Sequence, residues 1–393
     1  MNKNKNLFSI AIAILFTSMA AFAKPILDDT TKAYSMPLFT KTPKGEVLLS
    51  WTEKDNQGIT AFCLAFSSDN GKTFTEKKTI YAGAGVNNSR LMRAKVLTKK
   101  DGTLVAVFSN RPDTSTPGVG RRAAEIVYCV STDGGNTWTK PQPVDTDPTK
   151  GIMRGFFDAV LMANDEVAVA YLKDVKGSTK HEERDLRIAI TKKGIFQPEK
   201  LIDAVVCDCC NISLLVDESG ALNVYYRDNN DNIRDIARMT STDNAETFSP
   251  SKILHSDNWQ INGCPHNGAT STTFGKSALV AWFSGAANEP GIRLVTQEGK
   301  QLFVLNSSGA KNAFLSSSAQ NVALLWEQNQ ENNISQIAYR KVTADKVSEV
   351  TFLKESANGT NATGLVIDNQ LIVAFEVKQP NKKNTIKMSS VSL

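Results

Sequence analysis

An all-β fold built from repeated units is predicted by three features of the 393-residue sequence. Apolar strand-like runs alternate with turns, and helix signals are few. One element, a turn followed by an apolar strand that ends in an aromatic residue, recurs seven times. Its aromatic ends are roughly 45 to 63 residues apart, which is the size of a four-stranded propeller blade. The sequence therefore predicts a β-propeller of seven four-stranded blades, with six as the alternative count.

The repeated element can be located directly along the chain. Its copies are residues 45–51, 102–108, 166–171, 220–226, 277–282, 321–326 and 369–375. The last unit, residues 361–393, contains only three candidate strands. We expect its outer strand to come from residues 24–27, which resemble the outer-strand segment 250–254. Joining the first and last segments would close the ring and remove an exposed sheet edge.

A second repeated motif follows the third strand of several units. Residues 67–74 and 131–138 both read Ser-x-Asp-x-Gly-x-Thr-aromatic, and residues 241–248 are a copy with Ala245 in place of the glycine. The Asp carboxylate can accept hydrogen bonds from the N–H groups of a turn, and glycine supplies the positive φ that the turn needs. We interpret these residues as structural hairpin turns and not as catalytic groups.

The first 23 residues have the features of a cleaved signal peptide. Two lysines precede an apolar run over residues 7–19, and residues 21–23 supply the small side chains of a cleavage site. The run is short for a bilayer span, and no later stretch approaches ~20 apolar residues. We therefore expect a single propeller domain, residues 24–393, that is periplasmic or secreted and does not span a membrane.

Charge narrows the choice of partners. The formal net charge of +5 comes from 45 basic and 40 acidic residues. Such a balance gives no electrostatic footprint for nucleic acid or for an acidic membrane surface. A small molecule, a glycan or a metal ion at the mouth of the channel is the expected ligand.

Soft ligand residues recur where the first strand of successive units begins. In a propeller this strand lines the central channel, so residues at its start converge from different blades. Thiolate, thioether and imidazole groups suit Cu(I), and thiolate with imidazole also suits Zn(II). The predicted copper or zinc ligands are Cys209, Cys210, Cys264 and His266, with Cys207, Met92 and Met153 as further candidates.

Other interpretations of these residues remain open. In an oxidising compartment Cys207 or Cys209 can form a disulfide with Cys264 and join the fourth and fifth units. Both arrangements hold if one pair is oxidised and the remaining residues bind metal. Methionine at the start of a strand is more often a core residue than a ligand.

The repeated Asp motif and its spacing resemble those of the sialidase-like, or bacterial neuraminidase repeat, β-propellers. The resemblance extends over essentially the whole chain after residue 23. It implies an exo-sialidase or a related glycoside hydrolase in which three arginines hold a carboxylate, a tyrosine is the nucleophile and an aspartate is the acid/base. The positions that match are Arg90 or Arg93, Arg227 and Arg293 for the arginines, Tyr225 or Tyr226 for the nucleophile, and Asp113 for the acid/base.

Three features depart from the sialidase pattern. No proline follows Arg90 or Arg93 where sialidases have an Arg-Ile-Pro motif. Residues 207–210, the cysteine cluster, stand where a catalytic glutamate is expected, and sialidase catalytic domains have six blades. These departures favour an extracytoplasmic binding protein with a soft metal, copper first, over the alternative of an exo-sialidase that acts on sialylated glycans.

Overall fold

The computed structural model describes residues 26–393 apart from residues 114, 116–118, 121, 179–182, 332, 344–345 and 381–382. These residues form 28 β-strands in seven antiparallel sheets, with one short 3₁₀ helix at Arg90–Met92. The sheets follow one another in chain order and correspond to the seven predicted units, so the seven-bladed β-propeller is confirmed. The predicted signal peptide, residues 1–23, lies outside the described residues. Within the described ranges, no helix has the length and apolar character needed to cross a membrane.

The strands of each blade pair in chain order, from the innermost strand outwards. The first blade consists of β1 (Ala33–Lys41), β2 (Val47–Lys54), β3 (Thr60–Ser67) and β4 (Lys78–Gly83). The second consists of β5 (Lys95–Thr98), β6 (Leu104–Asn110), β7 (Glu125–Ser131) and β8 (Gln142–Pro143). The third consists of β9 (Arg154–Leu161), β10 (Val167–Asp174), β11 (Arg184–Lys192), β12 (Ile195–Phe196) and β13 (Lys200–Val206), of which the last two share the outer edge of β11.

The remaining blades repeat this order. The fourth consists of β14 (Ser213–Val216), β15 (Leu222–Arg227), β16 (Ile236–Ser241) and β17 (Lys252–His255). The fifth consists of β18 (Thr270–Phe274), β19 (Ser277–Ser284), β20 (Gly291–Thr296) and β21 (Gln301–Asn306). The sixth consists of β22 (Ala310–Ser317), β23 (Val322–Asn329), β24 (Ser335–Val342) and β25 (Thr351–Phe352). The seventh consists of β26 (Gly359–Ile367), β27 (Gln370–Val377) and β28 (Thr385–Ser392).

The aromatic residue that ends each repeated element is part of the core between blades. It lies on the second strand of every blade, and its exposed fraction is below 2% in Trp51, Phe108, Tyr171, Tyr226, Trp282, Trp326 and Phe375. Burial of a large apolar side chain contributes about 1.5–3 kcal/mol to folding, so this position stabilises all seven blades. The spacing that predicts the blade count is therefore the spacing of the core itself.

The ring closes where the first blade packs against the seventh. Trp51 and Phe39 of the first blade share one apolar cluster with Ile372 of the seventh. The predicted outer strand, residues 24–27, lies partly outside the described residues. Its described part, Ile26 and Leu27, forms a turn that packs against this same cluster. The described residues of the seventh blade therefore form three strands, and the two apolar residues of the N-terminal segment contact the closing interface.

The repeated Asp motifs are hairpin turns, as predicted. Asp69 accepts hydrogen bonds from the Thr73 N–H at 2.9 Å and the Thr73 hydroxyl at 2.6 Å, and Asp133 and Asp243 make the same bonds in their own turns. These bonds stabilise the carboxylate and lower the pKa of Asp69 to about 2. Ala245 adopts a φ of 64°, where glycine stands in the other two copies. The aspartates bond within their own turns and so have a structural role.

Candidate functional site

A central channel is lined by the first strands of all seven blades. Its cavity has a volume of about 320 Å³. Arg90, Arg93 and Lys95 bring positive charge to its wall, and Asp158 forms an ion pair with Lys95. The first strand is therefore innermost in every blade, which is the condition for the predicted ligand residues to converge at one mouth.

The backbone at the mouth is held in an unusual conformation. Met36, Phe156, Asn312 and Asn361 lie at bulges of four first strands and have φ values of 54–55°. His266, in the segment before β18, has a φ of 51°. A residue other than glycine in this region costs of order 1–3 kcal/mol and persists only where its surroundings fix it. This conformation therefore recurs in or just before five of the seven first strands.

Three thiols lie side by side in the turn between β13 and β14. Cys207, Cys209 and Cys210 are 1–2% exposed, and their Sγ atoms all lie within 4.8 Å of one another. Cys207 Sγ is 3.7 Å from Cys210 Sγ and 4.0 Å from Cys209 Sγ. All three are free thiols in this structure. The Cys207 N–H donates to the carbonyl oxygen of Arg227 at 3.2 Å, which ties the turn to β15.

The segment that leads into the fifth blade brings further ligands to the same place. Cys264 Sγ and a ring nitrogen of His266 lie within 4.8 Å of each other and of Cys209 Sγ. Cys264 and His266 are exposed, whereas Cys209 is buried. Cys264 Sγ also lies 3.7 and 3.8 Å from the two carboxylate oxygens of Asp208. The two clusters therefore face one another across the fourth and fifth blades, and Cys209 belongs to both.

Arginines surround this arrangement. Arg184 donates to the Asp208 carbonyl oxygen, and its Nη1 lies 3.7 Å from Asp208 Oδ2. Arg234 Nη1 lies 3.8 Å from Asp208 Oδ1. Arg90, on the channel wall, donates to the carbonyl oxygen of His266 at 2.8 Å. Positive charge therefore faces the sulfur cluster from several blades.

The thiols of the turn have different pKa values. Hydrogen bonds with Cys209 and Cys210 lower the pKa of Cys207, and the nearby charges of Arg227 and Arg234 act in the same direction. The hydrogen bond with Cys207 raises the pKa of Cys209, and burial raises the pKa of Cys210 to about 12. The turn thus favours one thiolate held by two thiols, and thiolate is the form that binds metal ions.

Comparison with known proteins identifies the fold family. Residues 113–337, more than half of the chain, match the BNR repeat-like domain. The chain belongs to that family. No curated protein matches it.

Several solved structures share the fold at low sequence identity. A protein of unknown function from Dyadobacter fermentans has a TM-score of 0.56 and 13% identity, over 94% of this chain and 97% of that chain. A family PL25 polysaccharide lyase, an ulvan lyase, has a TM-score of 0.57 and 11% identity, over 92% and 94%. The Hadza microbial sialidase Hz136 has a TM-score of 0.52 and 14% identity, over 80% and 66%.

Arg227 joins two blades of the BNR propeller. Its side chain is 1% exposed, and its guanidinium donates to the carbonyl oxygens of Arg234, Asn267 and Phe283. Elsewhere the residue after the buried aromatic has a similar task, since Glu376 accepts the N–H of Met36 in the following blade at 2.8 Å. A buried guanidinium whose donors are bonded to carbonyl oxygens has no fork to offer a substrate carboxylate. The geometry does not support the carboxylate-binding role that the sialidase resemblance implies.

Arg293 is likewise used inside the fold. It is 3% exposed on β20, and its Nε donates to Asp257 Oδ1 at 2.9 Å. Trp282 donates to the other oxygen of the same carboxylate at 2.7 Å. This buried ion pair links β19 and β20 to the segment that precedes the fifth blade, so the expected substrate contact of Arg293 is not supported either.

The other predicted catalytic residues do not form one group with these arginines. Tyr226 is buried with its hydroxyl bonded to Asp203, and the Tyr225 hydroxyl is buried without a hydrogen-bond partner in the described part of the chain. Asp113 is exposed in the loop after β6, where its carboxylate accepts the Ser115 N–H at 2.9 Å. Hydrogen bonds from Ser115 lower the pKa of Asp113, which opposes a role as a proton donor at neutral pH.

Two of the predicted residues, Arg90 and Arg93, do line the channel. Arg93 donates to the carbonyl oxygens of Pro37 at 2.9 Å and Asn361 at 3.2 Å, so it bridges the first and seventh blades. Burial lowers the pKa of Arg93 to about 10. These arginines remain charged at neutral pH and give the channel a positive wall.

The two candidate methionines border a second cavity, which sequence reasoning missed. Met92 and Met153 both lie against Gly155, where an added Cβ would be 2.7 Å from Met153 Cε and 3.0 Å from Met92 Sδ. Met92 Sδ accepts a hydrogen bond from Asn87 at 3.5 Å. The cavity has a volume of about 220 Å³, and its lining includes Arg111, Arg122 and Arg184. Arg184 is already paired with Asp174 and Asp208, whereas the positive charges of Arg111 and Arg122 on the lining suit an anionic ligand.

A further group of potential ligands lies in the third blade and in the connection that leads into it. Oxygen atoms of Asp145, Asp147 and Glu199 lie within 4.8 Å of one another. Lys173 Nζ donates to all three carboxylates at 2.7–2.8 Å, and Arg154 pairs with Asp145. An internal ammonium group therefore occupies the centre of this acidic group.

Proposed function

We propose that this BNR propeller binds a soft metal ion, copper(I) in the first place, at the mouth of its channel. The ligands are Cys209, Cys264 and His266. The observation that carries the proposal is the convergence of two sulfur atoms and one imidazole nitrogen, from two different blades, within 4.8 Å. Proximity in the sequence does not account for this convergence, because Cys209 and Cys264 are far apart in the chain and only the fold brings them together.

The donor set fits a soft ion. Metal–sulfur bonds of about 2.3 Å and metal–nitrogen bonds of about 2.0–2.1 Å place neighbouring ligand atoms roughly 3.5–4 Å apart in trigonal or tetrahedral sites. The ligand atoms here lie within 4.8 Å of one another, which is close to that spacing. Three thiolate and imidazole ligands suit Cu(I), whereas structural zinc almost always takes four. Zinc is the alternative ion, with Cys210 as the fourth ligand that the sequence offers.

The surroundings support metal binding in two ways. The exposed side chains of Cys264 and His266 provide an entry path from solvent to the buried thiol of Cys209. Arg90 holds the backbone of His266, and Asp208 lies against Cys264 Sγ, so two of the ligands have fixed neighbours. Contacts of this outer kind orient metal ligands in proteins. The proposed setting is the periplasm or the extracellular space, which the chain would reach with removal of the predicted signal peptide.

Competition titration tests the proposal. The full chain after the signal peptide is purified under reducing, anaerobic conditions and titrated with Cu(I) against a chromophoric Cu(I) chelator. We expect stoichiometric binding that weakens at least about 100-fold in Cys264→Ser and His266→Ala, because each change removes a direct ligand. Cys129→Ala and His255→Ala are matched controls outside the site and should bind as the wild type does. Absence of stoichiometric copper or zinc binding would contradict the proposal.

The disulfide alternative needs its own measurement. Cysteines are counted with a thiol reagent in protein that is isolated without reductant and then denatured. Six reactive thiols support a reduced metal centre, whereas four, with a Cys207–Cys264 or Cys209–Cys264 peptide in mass mapping, support an oxidised link between blades.

A second candidate function, binding or cleavage of an anionic glycan, is favoured by the cavity that contains Arg111, Arg122 and Arg184. Guanidinium groups recognise carboxylate and sulfate oxygens through paired hydrogen bonds. Among the structural neighbours, one is named as a sialidase and another as an ulvan lyase bound to a sulfated, uronic-acid-containing saccharide. Such ligands have the required charge.

A fluorogenic sialoside and a uronic-acid polysaccharide are the substrates to assay. Turnover that is lost in the Arg111→Ala, Arg122→Ala double variant and kept in Arg340→Ala, a change in the sixth blade, would support this function. No turnover and no saturable binding of either substrate would reject it.

A further inference from the structure

Cys209 belongs to two groups of three ligands at the same time. Its Sγ atom lies within 4.8 Å of Cys264 and His266 on the outer side, and within 4.8 Å of Cys207 and Cys210 on the inner side. Two residues of the outer group, Cys264 and His266, are exposed, whereas all three residues of the inner group are buried. A single ion on the outer group leaves Cys207 and Cys210 unused, although they lie only 3.7 Å apart.

Thiolate chemistry allows both groups to be filled. A thiolate sulfur has several lone pairs, so one cysteine can bind two soft ions at once. Each ion then has three ligands, with Cys209 shared. The inner ion would bind Cys207 and Cys210, and the outer ion would bind Cys264 and His266. Each thiol that binds releases its proton to solvent, so no oxidant or reductant is required.

The charges around the site match two monovalent ions. Four thiolates with the Asp208 and Asp174 carboxylates carry six negative charges, and Arg90, Arg184, Arg227 and Arg234 with two cuprous ions carry six positive charges. Two zinc ions would instead leave two excess positive charges next to four arginines. Uncompensated charge is expensive in a buried site, so the surroundings favour the monovalent ion.

Arg234 provides an independent observation. Its side chain is 8% exposed, yet Nε and Nη1 have no hydrogen-bond partner within the described residues. Nη1 lies 3.8 Å from Asp208 Oδ1, which leaves the charge of Arg234 beside the thiol turn. A buried guanidinium with unused donors is costly unless an anion stands nearby. Asp208 supplies one negative charge, and the thiolates of a filled cluster would add further negative charge beside the same guanidinium.

We infer that the channel mouth holds two cuprous ions bridged by the Cys209 thiolate, and not a single ion. This inference rests on the proposed function and extends it to a second, buried site on Cys207, Cys209 and Cys210. The exposed outer ion exchanges with solvent, whereas the inner ion leaves only after the outer one. The site is therefore suited to holding copper while it passes one ion at a time to or from an external carrier.

Stoichiometry decides between one ion and two. In the anaerobic Cu(I) titration of the full chain after the signal peptide, we expect two ions per chain in the wild type. We expect one ion in Cys210→Ala and none held tightly in Cys209→Ser. The Cys129→Ala control should keep two. Circular dichroism melting curves show which variants are folded, and the wild-type value alone is decisive if a variant fails to fold.

X-ray absorption at the copper edge adds a second reading on the wild type. A bridged pair gives a copper–copper scattering contribution that disappears in Cys210→Ala, whereas isolated ions give none. One ion per chain, with no change in Cys210→Ala and loss in His266→Ala, would overturn the two-ion inference and leave the proposed function intact. No bound copper in any form would overturn both.

Discussion

Two regions of this propeller bring three metal-type ligands within 4.8 Å of one another, and they differ in what lies between those ligands. In the acidic group of the third blade, the Lys173 ammonium donates to Asp145, Asp147 and Glu199. At the channel mouth, by contrast, the flanking arginines contact Asp208 and the backbone of His266. Convergence of ligands therefore indicates a metal site only where their lone pairs are not already used by a cation of the protein.

The largest effect should come from removing the internal cation of the acidic group. Lys173→Met leaves three carboxylates without their common partner in a region where the lysine side chain is 6% exposed. Breaking a buried ion pair in this way costs about 3–5 kcal/mol, which urea denaturation would measure as a loss of unfolding free energy. Lys192→Met is the matched control, because its pair with Glu246 is exposed and contributes at most about 1 kcal/mol. Equal effects in the two variants would show that Lys173 does not organise the acidic group.

Arg227 tests whether an arginine beside the thiols is structural. Arg227→Lys keeps the charge and loses the fork that bonds three carbonyl oxygens, so we expect a loss of about 1.5–3 kcal/mol of unfolding free energy. Arg111→Lys, on an exposed loop, is the control and should change little. An Arg227→Lys protein as stable as the wild type would contradict the assignment of this side chain as a link between blades.

Asp208 allows a test of metal binding at the channel mouth. Asp208→Asn removes a negative charge that contacts Cys264 Sγ and both flanking arginines. Loss of such an outer contact typically weakens metal binding 10–100-fold, and we expect Cu(I) affinity to fall by about that factor. Asp147→Asn in the acidic group should leave Cu(I) affinity unchanged. The same competition titration serves both variants, and an effect confined to Asp147→Asn would reverse the roles of the two regions.

The smallest effect should come from the aspartates whose hydrogen bonds lie within their own turns. The pKa of Asp69 and of Asp243 is lowered from 3.8 to about 2 by hydrogen bonds from Thr73 and Thr247 respectively. Because the folded pKa lies below the unfolded value, this stabilisation is present above pH 3.8 and is lost as the pH falls towards 2. We expect the melting temperature to fall less steeply over that range in an Asp69→Asn, Asp243→Asn variant than in the wild type. Parallel curves would show that the turns do not contribute to the acid response.

Much of the fold follows from the sequence because the repeat spacing is set by the core. The residues that end the repeated elements are the ones buried between blades, so their period gives the blade number. The Asp motifs are local, and their hydrogen bonds join residues at most four positions apart. The sequence also predicts that Cys209 and Cys264 lie close together, because the first strands of successive blades begin at one end of the channel.

The remaining features depend on contacts that no local pattern encodes. Lys173 binds acids from two separate segments, and Arg293 pairs with Asp257 from a preceding loop. The sialidase resemblance points to Arg227, but its position after the buried aromatic matches that of Glu376, which links blades. This repeated position after the buried aromatic residue is the sequence signal that indicates a structural role for Arg227. Nothing in the sequence brings Arg122 and Arg184 to one cavity.

Anomalous scattering from crystals loaded anaerobically with Cu(I) tests the central claim most directly. The account predicts copper peaks at the channel mouth, bounded by Cys209, Cys264 and His266, and none at Asp145, Asp147 and Glu199. An empty mouth, or copper bound only at the acidic group, would contradict it.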